Sequence, residues 1–142
     1  PSNTQNLSEY TDKEVHVGYL GSCASGRIED LEIAAEVLRG QTIKAGFQLH
    51  VVPTSQAIMQ EASEKGILTD LIAAGAFVTS SSCDYCFGRA GVMTAGQRAV
   101  STGTLNVRGR MGSPDSEIYI MNAAAVAASA IHGKITDPRD YL

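Results

Sequence analysis

The feature that most constrains the fold of this chain is an alternation of short β-rich runs with helical segments. Four apolar, β-rich runs lie at residues 14–20, 47–52, 76–80 and 97–101. Four segments with helical spacing or helix-forming composition lie at residues 28–39, 55–65, 68–74 and 122–132. Strands separated by helices indicate a mostly parallel sheet that is covered on both faces. We therefore predict an α/β fold with three layers, α/β/α.

The length of the chain, 142 residues, leaves room for one domain with a single core. Residues 1–13 are polar and lack an apolar pattern, which is typical of linkers. We therefore expect the folded domain to span residues 14–142, with residues 136–142 as a terminal tail. Because the sequence begins with Pro1 rather than Met, we also expect a piece of a longer protein.

The charge and hydropathy of the chain argue against two classes of partner. A net charge of -4 and a pI near 5.3 disfavour a nucleic-acid surface, which would show clustered Lys and Arg. No apolar run approaches the roughly 20 residues of a membrane-spanning helix, and no signal peptide opens the sequence. We expect a cytoplasmic protein with no nucleic-acid or membrane partner.

Three chemically distinctive loops each follow a predicted strand. Cys23 lies in a Gly-Ser-Cys-Ala-Ser-Gly turn after the first strand, and Cys83 and Cys86 form a C-x-x-C loop after the third. A loop rich in Gly and Arg follows the fourth strand. Because active loops lie beyond the carboxyl ends of parallel strands, we expect these three loops to converge at one edge of the sheet.

The three cysteines admit several interpretations on spacing alone. An odd number without a secretory signal disfavours a disulfide framework. A thioredoxin-like pair would need only the C-x-x-C motif, and a structural zinc ion would need a fourth ligand. The candidate fourth ligands are His16, His50 and His132. Three thiolates on a four-iron cluster would leave one iron free to act as a Lewis acid, and three inert cysteines remain the fourth alternative.

Five segments resemble, in the same order, the signature motifs of the aconitase family, and in particular of isopropylmalate dehydratase large subunits. They are the run Y-L-G-S-C-A-S-G-R-I-E-D-L at 19–31, V-P-T-S-Q at 52–56, S-C-D-Y-C-F-G at 82–88, G-R-M-G-S at 109–113 and the Ala-rich segment at 124–138. Together they are distributed along nearly the whole chain after residue 14.

This resemblance implies the cluster-binding, C-terminal domain of the large subunit of an iron–sulfur hydro-lyase. The substrate would be a small hydroxy-di- or tricarboxylic acid, as for 3-isopropylmalate dehydratase, with homoaconitase, a dimethylmalate-type dehydratase or a non-catalytic iron–sulfur relative as alternatives. It implies a [4Fe-4S] cluster on Cys23, Cys83 and Cys86. The catalytic base would lie on a small subunit or a swivelling domain, outside this chain.

The resemblance also implies roles for the loop rich in arginine. Arg110 would be a catalytic and substrate-binding residue, because a guanidinium binds a carboxylate bidentately. Thr104 and Leu105 replace an Asn and an Arg of the relatives, so Thr104 would contact the substrate and Arg108 would partly replace the missing charge. The expected neighbours of the cluster are Ser25, Arg27 and Asn106.

Overall fold

A computed structural model describes residues 3–142 of the chain, and its centre is a parallel β-sheet. The strands are β1 (Val17–Gly21), β2 (Gln48–Val52), β3 (Phe77–Val78), β4 (Arg98–Ser101) and β5 (Glu117–Ile120). Their order across the sheet is β3-β2-β1-β4-β5, and every neighbouring pair is parallel. The predicted α/β class with a parallel sheet is confirmed.

Four α-helices pack on one face of the sheet, and local capping sets where they begin and end. They are α1 (Ile28–Leu38), α2 (Gln56–Glu64), α3 (Ile67–Ala73) and α4 (Ala123–His132). The Ser55 side chain caps α2 and the Asn122 side chain caps α4, each accepting a hydrogen bond from a backbone N–H of the first turn. Gly133 ends α4 in the left-handed conformation.

No helix within residues 3–142 is long and apolar enough to cross a bilayer.

The main hydrophobic core lies between these helices and the first face of the sheet. Leu31 and Leu38 of α1 and Leu49 of β2 are fully buried in it. Residues 123–130 of α4 are all buried, because their small side chains allow close approach to α1. Truncation of one such leucine to Ala costs about 2–5 kcal/mol.

The second face of the sheet carries a smaller apolar cluster that is covered by loops. Val17, Tyr19 and Ala99 of the strands pack there against Met93 and Met111 of the loops. The covering layer consists of a short 3-10 turn at Asp84–Phe87 and the segments that follow it. The three-layer prediction is confirmed, and within residues 3–142 the third layer consists of loops and a short 3-10 turn rather than a long helix.

The structure differs from the sequence prediction in two elements. Strand β5 was not predicted and lies between the arginine-rich loop and α4. The predicted tail contains a 3-10 turn at Pro138–Tyr141 that packs against α4.

Residues 1 and 2 of the predicted linker lie outside the described residues. The described part of that segment is docked, since Leu7 and Tyr10 pack against the main core. The role of residues 1–13 as a linker stays a prediction.

Candidate functional site

The loop that carries Cys23, residues 21–26 and called here the Cys23 loop, is fixed by close backbone contact. Gly21 and Gly26 both have left-handed φ angles, of +94° and +90°. A Cβ on Gly26 would lie 2.6 Å from the Val52 carbonyl oxygen and 2.7 Å from the Gly21 Cα. A Cβ on Gly21 would overlap the same carbonyl oxygen. Glycine is therefore required at both ends of the loop.

Hydroxyl groups from neighbouring strands hold the same loop. The Gly21 N–H donates to Thr102 Oγ1 at 2.8 Å, and Ser25 Oγ lies 2.9 Å from the same oxygen. The Thr54 hydroxyl donates to the Ser25 carbonyl oxygen at 2.9 Å. These contacts join the ends of β1, β2 and β4, so exposed Cys23 projects from a well-anchored loop.

The second cysteine-bearing loop, residues 82–91 and called here the C-x-x-C loop, is built around the 3-10 turn Asp84–Phe87. The Cys86 N–H donates to the Cys83 carbonyl oxygen at 3.0 Å, which closes the turn. Gly88 ends it in the left-handed conformation, with φ of +64°. A Cβ there would lie 2.6 Å from the Met111 carbonyl carbon. The backbone of this loop thus lies directly against the loop that carries Arg110.

The two cysteine-bearing loops approach one another, since Gly21 of the Cys23 loop and Cys86 line the same cleft. The Cys23 side chain interacts with the Cys83 thiol and raises its pKa, and the charges of Cys86 and Asp84 act in the same direction. Cys83 is exposed, and Cys86 is half-buried.

The donor set of the site fits an iron–sulfur cluster. Within residues 3–142 no three His, Cys, Asp or Glu side chains are grouped tightly enough to hold one metal ion. The ligands of a four-iron cluster bind separate iron atoms and therefore stand further apart than the ligands of one ion. Three free thiols without a disulfide are the ligand type that such clusters use.

A shallow cleft joins the C-x-x-C loop to the arginine-rich loop. Cys86, Thr104, Leu105 and Arg110 line it together with Tyr85. Its volume is about 10 Å³, which is room for about one water molecule. A larger ligand would have to lie over the cleft, between these loops and another surface.

Arg110 is held over an aromatic ring at the edge of the cleft. Its guanidinium carbon lies 4.8 Å from the centroid of the Phe87 ring, a cation–π geometry. Because Phe87 directly follows Cys86, this contact links the predicted cluster ligands to the predicted carboxylate-binding residue.

The remaining predicted site residues lie outside the lining of this cleft. Ser25 belongs to the hydroxyl network that holds the Cys23 loop. Arg27 is exposed at the start of α1, and its backbone N–H donates to Asp30. Arg108 and Asn106 are exposed and do not line the cleft.

Four aromatic residues lie in or against the C-x-x-C loop, and the sequence predicted no aromatic packing role for any of them; His50 was considered only as a candidate zinc ligand. Phe87 contacts Arg110, and Tyr85 packs against Tyr19 and His50. The only sequence signal for them was that Tyr85 and Phe87 flank Cys86.

The relatives found among known proteins match this chain over nearly its whole length. The chain is 46% identical to a 3-isopropylmalate dehydratase large subunit of Nautilia profundicola, over 99% of this chain and 34% of the relative. It is 39% identical to 3-isopropylmalate dehydratase large subunit 2 of Archaeoglobus fulgidus, over 100% and 35% of the two lengths. A Mycolicibacterium smegmatis large subunit is 43% identical over 99% and 33%.

The chain thus spans about a third of the length of the curated relatives it matches. A sequence model described as Aconitase family (aconitate hydratase) matches residues 2–133, which is nearly the whole chain. The chain belongs to the aconitase family.

Proposed function

We propose that this chain is the cluster-binding portion of an iron–sulfur hydro-lyase that acts on a small hydroxy acid, most like a 3-isopropylmalate dehydratase large subunit. The observation that carries the proposal is the meeting of two cysteine-bearing loops beside an arginine. Gly21 of the Cys23 loop, Cys86 and Arg110 line one cleft, and the Cys23 side chain raises the pKa of the Cys83 thiol. The sequence of the relatives supports the same assignment.

In this proposal Cys23, Cys83 and Cys86 hold a [4Fe-4S] cluster. The cluster, when bound, supplies a Lewis-acidic iron that favours departure of a substrate hydroxyl group. Arg110 binds a substrate carboxylate, and the Phe87 ring fixes its guanidinium before the substrate arrives.

The proposed activity requires further groups outside this chain. Among the residues that line the cleft, the titratable side chains are Tyr19, Tyr85, Cys86 and Arg110, so none is a carboxylate or a histidine that could serve as the base. The cleft is also too shallow to exclude water by itself. We therefore propose that residues 14–142 are one domain of a longer large subunit, and that a small subunit or swivelling domain closes the site and supplies the base.

A non-catalytic cluster-binding protein is the second candidate, and one observation favours it. Leu105 lines the cleft beside Arg110, whereas Arg108 is exposed and outside it. The cleft therefore offers a single cation to an acid that usually carries two or more carboxylates.

Anaerobic reconstitution of the full-length protein with its small subunit tests both candidates. Iron and sulfide analysis should give a four-iron cluster, and turnover should be measured on isopropylmalate, homocitrate, dimethylmalate and citrate. Turnover of any of these acids supports the hydro-lyase. A stable cluster without turnover supports the non-catalytic relative, and the absence of iron and sulfide would refute both.

A further inference from the structure

Three aromatic rings lie side by side on the second face of the sheet. Tyr19, His50 and Phe77 are register partners on β1, β2 and β3. The His50 ring lies 5.5 Å from the Tyr19 ring and 5.5 Å from the Phe77 ring, with interplanar angles of 18° and 25°. Tyr85 of the C-x-x-C loop packs over this row, 5.0 Å from the His50 ring.

His50 acts in this row as an aromatic ring rather than as a hydrogen-bonding group. Both ring nitrogens are buried and have no hydrogen-bond partner among the described residues. Burying two unpaired polar atoms is unfavourable, so the packing of the ring must offset that loss. Burial also lowers the pKa of His50, which favours the neutral ring.

The Tyr85 ring is enclosed on a further side by Gly91. A Cβ on Gly91 would lie 2.9 Å from Tyr85 Cδ1 and 3.1 Å from Tyr19 Cε1. The Tyr19 hydroxyl donates a hydrogen bond to the Gly91 carbonyl oxygen. Tyr85 therefore occupies a slot with walls formed by Tyr19, His50 and Gly91, called here the Tyr85 slot.

The backbone hydrogen bonds of the C-x-x-C loop are local to it. They join Cys86 to Cys83 and residues 89 and 90 to Asp84. Such bonds fix the shape of the turn but not its position on the sheet. The position depends on the Tyr85 slot, on the hydrogen bond from the Tyr19 hydroxyl to the Gly91 carbonyl oxygen and on the backbone contact at Gly88.

We propose that Tyr85 is a positioning residue, and that its slot sets where the Cys83 and Cys86 thiols lie relative to Cys23. Tyr85 stands between the two cysteines in a single turn, so a shift of its ring moves both thiols. The consequence for cluster binding rests on the proposed function. The consequence for the thiols themselves does not.

A metal-free test uses the full-length apo protein with Cys86→Ser, so that Cys23 and Cys83 are the pair left to oxidise at the site. The rate of Cys23–Cys83 disulfide formation with diamide, mapped by mass spectrometry, reports their proximity. Tyr85→Ala should lower this rate roughly 3- to 10-fold, the range expected for loss of aromatic packing. Tyr85→Phe, which keeps the ring, should restore it.

Two further variants make the test specific to the slot. His50→Ala should lower the rate as Tyr85→Ala does, and His50→Phe should not. Tyr10→Ala is the matched control, because it removes a ring that packs on Tyr119 and not on the loop. If Tyr85→Ala fails to fold, Tyr85→Leu takes its place. An unchanged rate in the folded Tyr85 variant would overturn the inference.

A second readout addresses the cluster. In the reconstituted protein with all three cysteines, Tyr85→Ala should speed loss of iron to a chelator by a similar 3- to 10-fold. An unchanged rate of iron loss would overturn the claim that the slot positions cluster ligands. If the unmutated protein takes up no cluster, the proposed function fails, while the thiol test still decides the role of Tyr85.

Discussion

The two cysteine-bearing loops are anchored to the same sheet by different means. The Cys23 loop is held by backbone contact, with Gly21 and Gly26 pressed against the Val52 carbonyl group, and by hydroxyl hydrogen bonds. The C-x-x-C loop makes its close backbone contact, at Gly88, with the loop that carries Arg110 rather than with a strand. Its contacts with the sheet are made by side chains, namely the Tyr85 ring in its slot and the Tyr19 hydroxyl that donates to the Gly91 carbonyl oxygen. The backbone of the Cys23 loop is thus fixed directly against the sheet, whereas the C-x-x-C loop is fixed to the sheet by side-chain packing that can loosen gradually.

This difference indicates that the Cys23 loop can move little, whereas the C-x-x-C loop can shift. They are called here the fixed side and the adjustable side of the site. A backbone contact offers few intermediate states, because a displaced glycine loses its hydrogen bonds and its close approach together. A packed ring can shift by small amounts at a cost of order 1 kcal/mol. We therefore expect substitutions in the Cys23 loop to affect folding and those in the C-x-x-C loop to affect the site.

The largest expected effect comes from Gly21→Ala in the Cys23 loop. The added Cβ would overlap the Val52 carbonyl oxygen, and the residue would keep a φ of +94°. Left-handed strain and displacement of a packed strand together should lower the free energy of unfolding by about 3 kcal/mol or more. Urea unfolding followed by circular dichroism measures this loss.

Gly40→Ala is the matched control for that experiment. Gly40 also has a positive φ, +74°, but a Cβ there would meet no atom within 4 Å. Only the conformational strain of about 1–2 kcal/mol should then appear. Equal losses in the two variants would show that close backbone contact does not hold the Cys23 loop.

The second expected effect is loss of the proposed cluster without loss of the fold. Cys83 is exposed, so Cys83→Ser should change the free energy of unfolding by less than about 0.5 kcal/mol. Iron content, visible absorbance and turnover of the reconstituted full-length protein should all be lost. Ser80→Ala, an exposed neighbour, should keep all three. A serine variant that kept its absorbance and turnover would show that Cys83 is not a ligand.

The same contrast explains how much of the molecule could be predicted from sequence. The Cys23 loop depends on its own glycines and hydroxyl residues, so its motif is visible in a short run of letters. The Tyr85 slot joins residues of two strands and two positions of the C-x-x-C loop, far apart in sequence. No local pattern indicates such a contact.

Strand β5 was missed for a related reason. Its four residues, Glu117–Ile120, lie between a glycine-rich loop and a helix and are too short to show clear alternation. Pairing with β4 along four residues stabilises it as a strand, and that pairing is long-range information. The helices and the other four strands were predicted because their apolar patterns are local.

The third prediction concerns the loop on the adjustable side that carries Arg110. Leu105 lines the cleft and is 48% exposed, so an arginine there could reach a ligand. Leu105→Arg should tighten binding of isopropylmalate by roughly 10- to 100-fold, the effect of one charged hydrogen-bonding partner. Calorimetry or the Michaelis constant of the full-length, reconstituted enzyme measures this change.

Val107→Arg is the control for that substitution, because Val107 is exposed on the same loop but does not line the cleft. It adds the same charge and should change binding much less. If Leu105→Arg weakens activity and Arg108→Ala leaves it unchanged, Leu105 faces an apolar group of the substrate. The proposal that Arg108 partly replaces the missing charge would then be wrong.

The smallest expected effect is a pH dependence of the free energy of unfolding. It should accompany local opening of the C-x-x-C loop and leave the Cys23 loop closed. Burial lowers the pKa of His50 below its ordinary value, so between the two pKa values the unfolded chain binds more protons than the folded one. The free energy of unfolding should therefore fall as the pH drops below about 6.5, by at most about 1.4 kcal/mol per pH unit.

The side chains whose rings pack on His50 carry no carboxyl or imidazole group. Tyr19 from β1 and Tyr85 from the C-x-x-C loop are the titratable groups whose rings pack on it, and Phe77 from β3 carries no charge. Burial raises the pKa of Tyr19 above its ordinary value. Urea unfolding at pH 7.5 and 5.5 should thus show a larger loss of the free energy of unfolding at the lower pH in the unmutated protein than in His50→Phe.

Hydrogen exchange at pH 5.5 should rise at Cys86 before it rises at Ser22, whose N–H donates within the Cys23 loop. Equal pH dependence in the two proteins would mean that the His50 ring accepts its proton without disturbing the Tyr85 slot.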